Sequence, residues 1–126
     1  MNVKIDTKEK FSVITLNEKE FPANMTEALQ EMFQSHLLKD IPHVILNMQA
    51  VKKIDEETAA VIATTQQEFY EKNISFVVCE LQEEPEKLLD EMELLEFMNV
   101  TPTESEAWDI VQMEEIEREL LNDFDE

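Results

Sequence analysis

HVILNMQAVKKIDEETAAVIA, His43 to Ala63, is the stretch on which the fold turns. It begins with an almost continuous apolar run, the pattern of a strand covered on both faces. It ends with three acids set before small apolar residues, the pattern of a helix start. Asp55 is a favourable N-cap residue. Glu56 and Glu57 fall in the first turn, where the helix dipole favours negative charge by about 0.3–1 kcal/mol each. Ala59, Ala60, Ile62 and Ala63 let such a helix lie close to a sheet. A buried strand, a loop and a helix in this order make up one crossover of an α/β sheet.

Both flanks extend the pattern. Upstream, NVKID at 2–6 and FSVITL at 11–16 read as short strands joined by a turn at TKEK. A helix should open near Asn24, with Glu27 three positions on. It carries Met25, Leu29, Met32, Phe33 and Leu37 inward and ends before Pro42. Downstream, the helix after Asp55 should span roughly 56–71, and ISFVVC at 74–79 is a second buried strand. Glu84-Pro85 opens a third helix with proline at its first position, running through Leu88, Leu89, Met92 and Leu95. Asn99 to Thr101 reads as a short edge strand. Thr103-Glu-Ser-Glu106 is a capping box for a last helix, 104–121, with Ala107, Ile110, Met113, Ile116 and Leu120 on one inward face. The tail 122–126 should fray. The expected architecture is a single α/β domain over 1–126, with a mixed, mostly parallel sheet of four to five strands and four helices.

Composition narrows the function. The 126 residues are 43% hydrophobic, enough for a globular core. No apolar run is long enough to cross a bilayer, and MNVKIDTKEK lacks a signal-peptide core, so a cytoplasmic location is expected. Net charge is −20. Residues 1–79 carry 12 acids and 8 bases, net −4, whereas residues 80–126 carry 18 acids and 2 bases, net −16. Such a chain is repelled by nucleic-acid phosphates and anionic membranes. There is no glycine. That excludes a P-loop, a dinucleotide fingerprint and a G-x-S-x-G nucleophile elbow, each of which needs glycine backbone geometry.

Single residues offer little chemistry. His36 and His43 have no partner at a metal-ligand spacing, so surface or boundary positions are expected and no metal. Cys79 ends an apolar strand without a basic neighbour and reads as a buried, inert thiol. Among 30 acids, close carboxylate pairs arise by chance, so no catalytic pair stands out. Trp108 and Phe124 are either partner anchors or, for the tryptophan, a core residue with one wet edge. No cofactor site is legible.

The organisation as a whole resembles the STAS domain, the fold of bacterial anti-sigma-factor antagonists. Val44-Ile45-Leu46-Asn47 matches the family's strand, and Ile54-Asp55 matches the entry to its helix, where the family carries Asp-Ser-Ser/Thr-Gly-Leu. The resemblance covers about residues 4–121. It implies a regulatory role without enzymatic activity, and a protein partner such as an anti-sigma factor that is itself a serine kinase. In the family, that kinase phosphorylates a hydroxyl of the motif and binding ends. Here the motif departs at the decisive point. Glu56 and Glu57 occupy the two hydroxyl positions, Thr58 stands for the glycine and Ala59 for the leucine. Glu57 accepts no phosphate and sets about one permanent negative charge against the nearly two of phosphoserine. Asp55, Glu56, Glu57 and Thr58 are therefore the candidate partner-binding and switch residues. The usual switch is either lost or held in a phospho-like state, or the contact is rebuilt for another partner. Thr58 is also a candidate for a displaced acceptor. Two further classes compete: an assembly subunit, such as a homodimer, and an enzyme built on paired carboxylates in a deep pocket.

Overall fold

The computed structural model describes residues 1–124, with side chains through Asn122. Strands β1 (Val3–Thr7) and β2 (Ser12–Leu16) form an antiparallel hairpin. Then come β3 (Glu20–Phe21), a 3-10 turn at Ala23–Met25, α1 (Thr26–Leu37), β4 (Val44–Asn47), β5 (Lys53–Ile54), α2 (Glu56–Glu71) and β6 (Phe76–Cys79). The chain continues through α3 (Glu83–Glu91), a 3-10 turn at Leu95–Phe97, β7 (Val100–Thr101) and α4 (Glu104–Phe124). The main sheet has five strands in the order β1-β2-β4-β6-β7, and all pairings after the hairpin are parallel. Among the described residues, four helices on a mixed, mostly parallel sheet make the fold α/β, the architecture expected from the sequence.

Alternate residues of each central strand feed two cores, as a period-two backbone requires. Ile14, Leu16, Val44, Leu46, Phe76 and Val78 pack on one face against Leu29, Phe33, Ile62, Phe69 and Leu89 of α1, α2 and α3. Phe33 and Phe69 meet Phe76 edge-on at centroid distances of 5.4 and 5.1 Å. On the other face Val13, Ile45, Val77 and Cys79 pack against Ala107 and Val111 of α4. Positive φ falls on Asn73, Glu80 and Glu93. Asn73 and Glu93 end α2 and α3 in Schellman motifs, with Ile74 N–H donating to Phe69 O (2.8 Å) and Leu94 N–H to Leu89 O (2.9 Å).

Several local expectations are corrected. Pro85 is the third residue of α3, not the first, still inside the turn where a missing N–H costs nothing. Leu95 lies past α3 in a 3-10 turn. Asn24 does not cap α1, which instead grows out of the preceding 3-10 turn with Thr26 Oγ1 donating to Ala23 O. His36 is buried, its Nδ1 3.0 Å from Met32 O and its Nε2 3.3 Å from Lys39 Nζ. The neutral tautomer protonated on Nδ1 satisfies both contacts. Helix α4 runs through Phe124, beyond the expected stop near 121; residues 125–126 of the expected tail and the Phe124 side chain lie outside the described residues.

The largest correction concerns the face of α4. Met113, Ile116 and Leu120 were expected inward but are 60%, 56% and 54% exposed. The strands start with polar groups on this side, His43 and Ser75. Helix α4 meets them with Glu115 and Arg118, which turns the apolar stripe outward. Arg118 donates to Ser75 Oγ (3.1 Å) and Glu115 Oε2 (2.9 Å). That guanidinium holds the Glu115 carboxyl below its usual range.

Candidate functional site

The start of α2 is built on a two-stranded parallel sheet too short to read in sequence. Strand β3 pairs with β5, Glu20 opposite Lys53 and Phe21 opposite Ile54. The Lys19 carbonyl accepts from Lys52 N–H (2.7 Å) and Lys53 N–H (3.1 Å). Phe21 anchors this clip, with its ring fully buried in the core. Its carbonyl accepts twice more, from Asp55 N–H (3.2 Å) and from Thr58 Oγ1 (3.1 Å). The chain before α1 and the chain before α2 are thus tied together beneath the helix start.

Each of the four candidate residues now has a place. Asp55 occupies the N-cap position in extended backbone, φ −85° and ψ 164°, but its carboxylate does not cap its own helix. Oδ2 accepts instead from Ala23 N–H at 2.9 Å, fastening the segment before α1. Glu56 and Glu57 are exposed in the first turn. Thr58 is 0% exposed, and its hydroxyl is spent on the Phe21 carbonyl. The third position of α2 points at β3 rather than toward solvent, which overturns the expectation of an accessible Thr58 acceptor. Sequence carried no signal of this, since the partner carbonyl lies 37 residues away.

A second polar network, missed in sequence, sits at the start of α4. Asn47 Nδ2 donates to Glu104 Oε1 (3.0 Å), Trp108 Nε1 donates to Glu104 Oε2 (3.1 Å), and Glu104 N–H donates to Glu80 Oε2 (2.9 Å). Half of the expected capping box forms: Glu106 N–H donates to Thr103 Oγ1 at 3.2 Å. Trp108 meets Phe11 edge-on at 5.0 Å and keeps one side wet, the core-edge arrangement rather than a free anchor. Cys79 is buried, and burial pushes its thiol up to about 12, with Glu104 and Glu80 adding to the effect. A thiol held so far from ionisation is a poor nucleophile.

His43 is half-buried at the boundary, as expected. Its Nδ1 accepts from Ser75 N–H (3.1 Å) and its Nε2 lies 3.5 Å from Glu115. Burial lowers its pKa, and Arg118 lowers it further against the opposing pull of Glu115. Among the described residues, no three His, Cys, Asp or Glu side chains converge as metal ligands, and no helix is long and apolar enough to cross a membrane.

The STAS domain family model matches residues 2–107. No curated protein matches in sequence. Among solved structures, a proposed anti-sigma factor antagonist from Thermotoga maritima is similar, with a TM-score of 0.79 at 20% identity, covering 87% of this chain and 94% of that one. The anti-sigma factor antagonist SpoIIAA in its unphosphorylated form is similar at TM-score 0.71 and 16% identity, over 88% and 96% of the two chains. Moorella thermoacetica RsbS carrying a serine-to-glutamate substitution is similar at TM-score 0.74 and 16% identity, over 89% and 96%. The matched span covers most of the 126 residues, and the chain belongs to the STAS domain family.

Proposed function

We propose that this protein is a regulatory protein-binding module without enzymatic activity, and that the start of α2 is its contact surface. The observation that carries the reading is the exposed Glu57 carboxylate, at the position where the family's motif bears a hydroxyl, on a helix start fastened from below. Asp55 and Thr58 act as fasteners, spending their side chains on Ala23 and Phe21. Glu56 and Glu57 are the charged outer surface. Ala60, exposed one turn on from Glu56 and Glu57, leaves room for a partner to approach closely. The charge that phosphorylation would add and remove is here fixed in the chain. The partner resembles an anti-sigma factor or serine kinase-like protein, or a protein of another kind fitted to a permanently acidic helix start.

Replacing Glu57 with serine tests this. Glu57→Ser either changes the amount of partner retained from a lysate of the source cells or acquires phosphate there with ATP, read by intact mass. A variant unchanged in both respects makes the triplet a helix start only. The competing reading, an assembly subunit, draws on the exposed Met113, Ile116 and Leu120 stripe. It requires a stable oligomer whose mass is indifferent to Glu57→Ser.

A further inference from the structure

At the far end of α2, about 20 Å from Glu57 at 1.5 Å per residue, a groove of about 570 Å³ opens between α2, the Leu95–Phe97 turn and α4. Its floor is the entry to β6, Ile74 to Phe76. Its rim carries three of the most exposed apolar side chains of the described residues: Tyr70 (76%), Phe97 (72%) and Leu121 (62%). Glu96, Glu114 and Glu117 line it as well. The lining cation, Arg118, is already committed to Glu115 and Ser75. Glu114 Oε1 is buried and has no hydrogen-bond partner among the described residues. With Glu96 and Glu117, Glu114 makes the lining of the groove acidic.

We propose that this groove docks a basic, amphipathic segment of a partner protein. An arginine or lysine of that segment pairs with the acidic lining of Glu96, Glu114 and Glu117, and its apolar side chains cover Tyr70, Phe97 and Leu121. Charge decides the occupant. A second copy of a chain with net charge −20 brings acids to an acidic rim. A basic segment neutralises the rim. The groove shares no residue with the Asp55 helix start, and its α4 wall lies beyond the family's matched span.

The test uses a defined probe: an acetylated peptide with leucines at i, i+3 and i+7 and arginines between them. Backbone amide shifts are followed by NMR, with a glutamate-for-arginine peptide as control. The expected shifts cluster at 66–76, 96–99 and 114–121. Glu114→Gln, which keeps the side-chain shape, should weaken binding about tenfold, as for loss of one charged hydrogen bond. Phe97→Ala should weaken it about fivefold, while Glu57→Gln leaves it unchanged. Shifts scattered over the acidic helices overturn the proposal, as does equal weakening by Glu114→Gln and Glu57→Gln. Concentration-dependent dimerisation lost in Phe97→Glu assigns the groove to a second copy and overturns it too.

Discussion

At one end of α2 the surface is charged and Phe21, Asp55 and Thr58 tie down the backbone beneath it; at the other, exposed Tyr70, Phe97 and Leu121 share a groove with Glu96, Glu114 and Glu117. The Phe21 carbonyl, the Asp55 carboxylate and the Thr58 hydroxyl are all engaged at the first end. Exchanging Glu56 or Glu57 there changes charge and little else. At the second end Tyr70, Phe97 and Leu121 stand in solvent around Glu114. In the proposed reading, recognition at the start of α2 is governed by charge on a stiff platform, and docking at its far end by burial, with charge selecting the occupant.

The strongest way to break this comparison is to remove the platform. Phe21→Ala deletes a fully buried ring that anchors the β3–β5 clip, and should cost about 3–5 kcal/mol in chemical denaturation. A loss below ~1 kcal/mol would mean the clip does not hold the helix start. Thr58→Val sharpens the point at smaller scale. It keeps the shape but removes the bond to Phe21 O, and should cost about 1–2 kcal/mol. Peptide binding in the far groove should be untouched.

Acid probes the other end more gently. His43, beside Arg118 under the groove wall, and His36 both have folded-state pKa values below the ordinary 6.5. The unfolded chain thus binds protons first as pH falls. Their stabilising contribution is complete above 6.5 and declines as pH drops toward the lowered folded values. The difference in stability between wild type and His43→Gln should therefore shrink between pH 7.5 and 5.5. A difference that grows over that interval contradicts the account.

The parts of the fold legible in sequence were those with a local physical signature. The apolar runs at 44–47 and 76–79 are strands because both faces are covered. The start of α2 follows from the acidic triplet at 55–57, although the Asp55 carboxylate does not cap the helix. The candidate site was half legible. Exposed Glu56 and Glu57 follow from their first-turn positions, but Asp55 and Thr58 bond across 32 and 37 residues to a loop without periodicity. Strands β3 and β5, two residues each, are too short to show alternation. In α4, spacing revealed an apolar stripe but not which stripe meets the sheet. That was decided by His43 and Ser75, which draw Arg118 and Glu115 inward. His36 was expected at the surface or boundary because imidazole is polar; its bond to Met32 O, four residues back, lets it be buried instead.

The central claim is that the exposed charge at Glu57 governs partner binding. The direct measurement is quantitative capture from a lysate of the source cells by wild type, Glu57→Ser and Glu57→Lys, with Phe97→Glu as the far-end control. The account predicts one defined protein whose recovered amount changes with both Glu57 variants and is retained by Phe97→Glu. Recovery of the same proteins in the same amounts by wild type and both Glu57 variants would contradict it, and would leave Asp55 to Thr58 as a helix start alone.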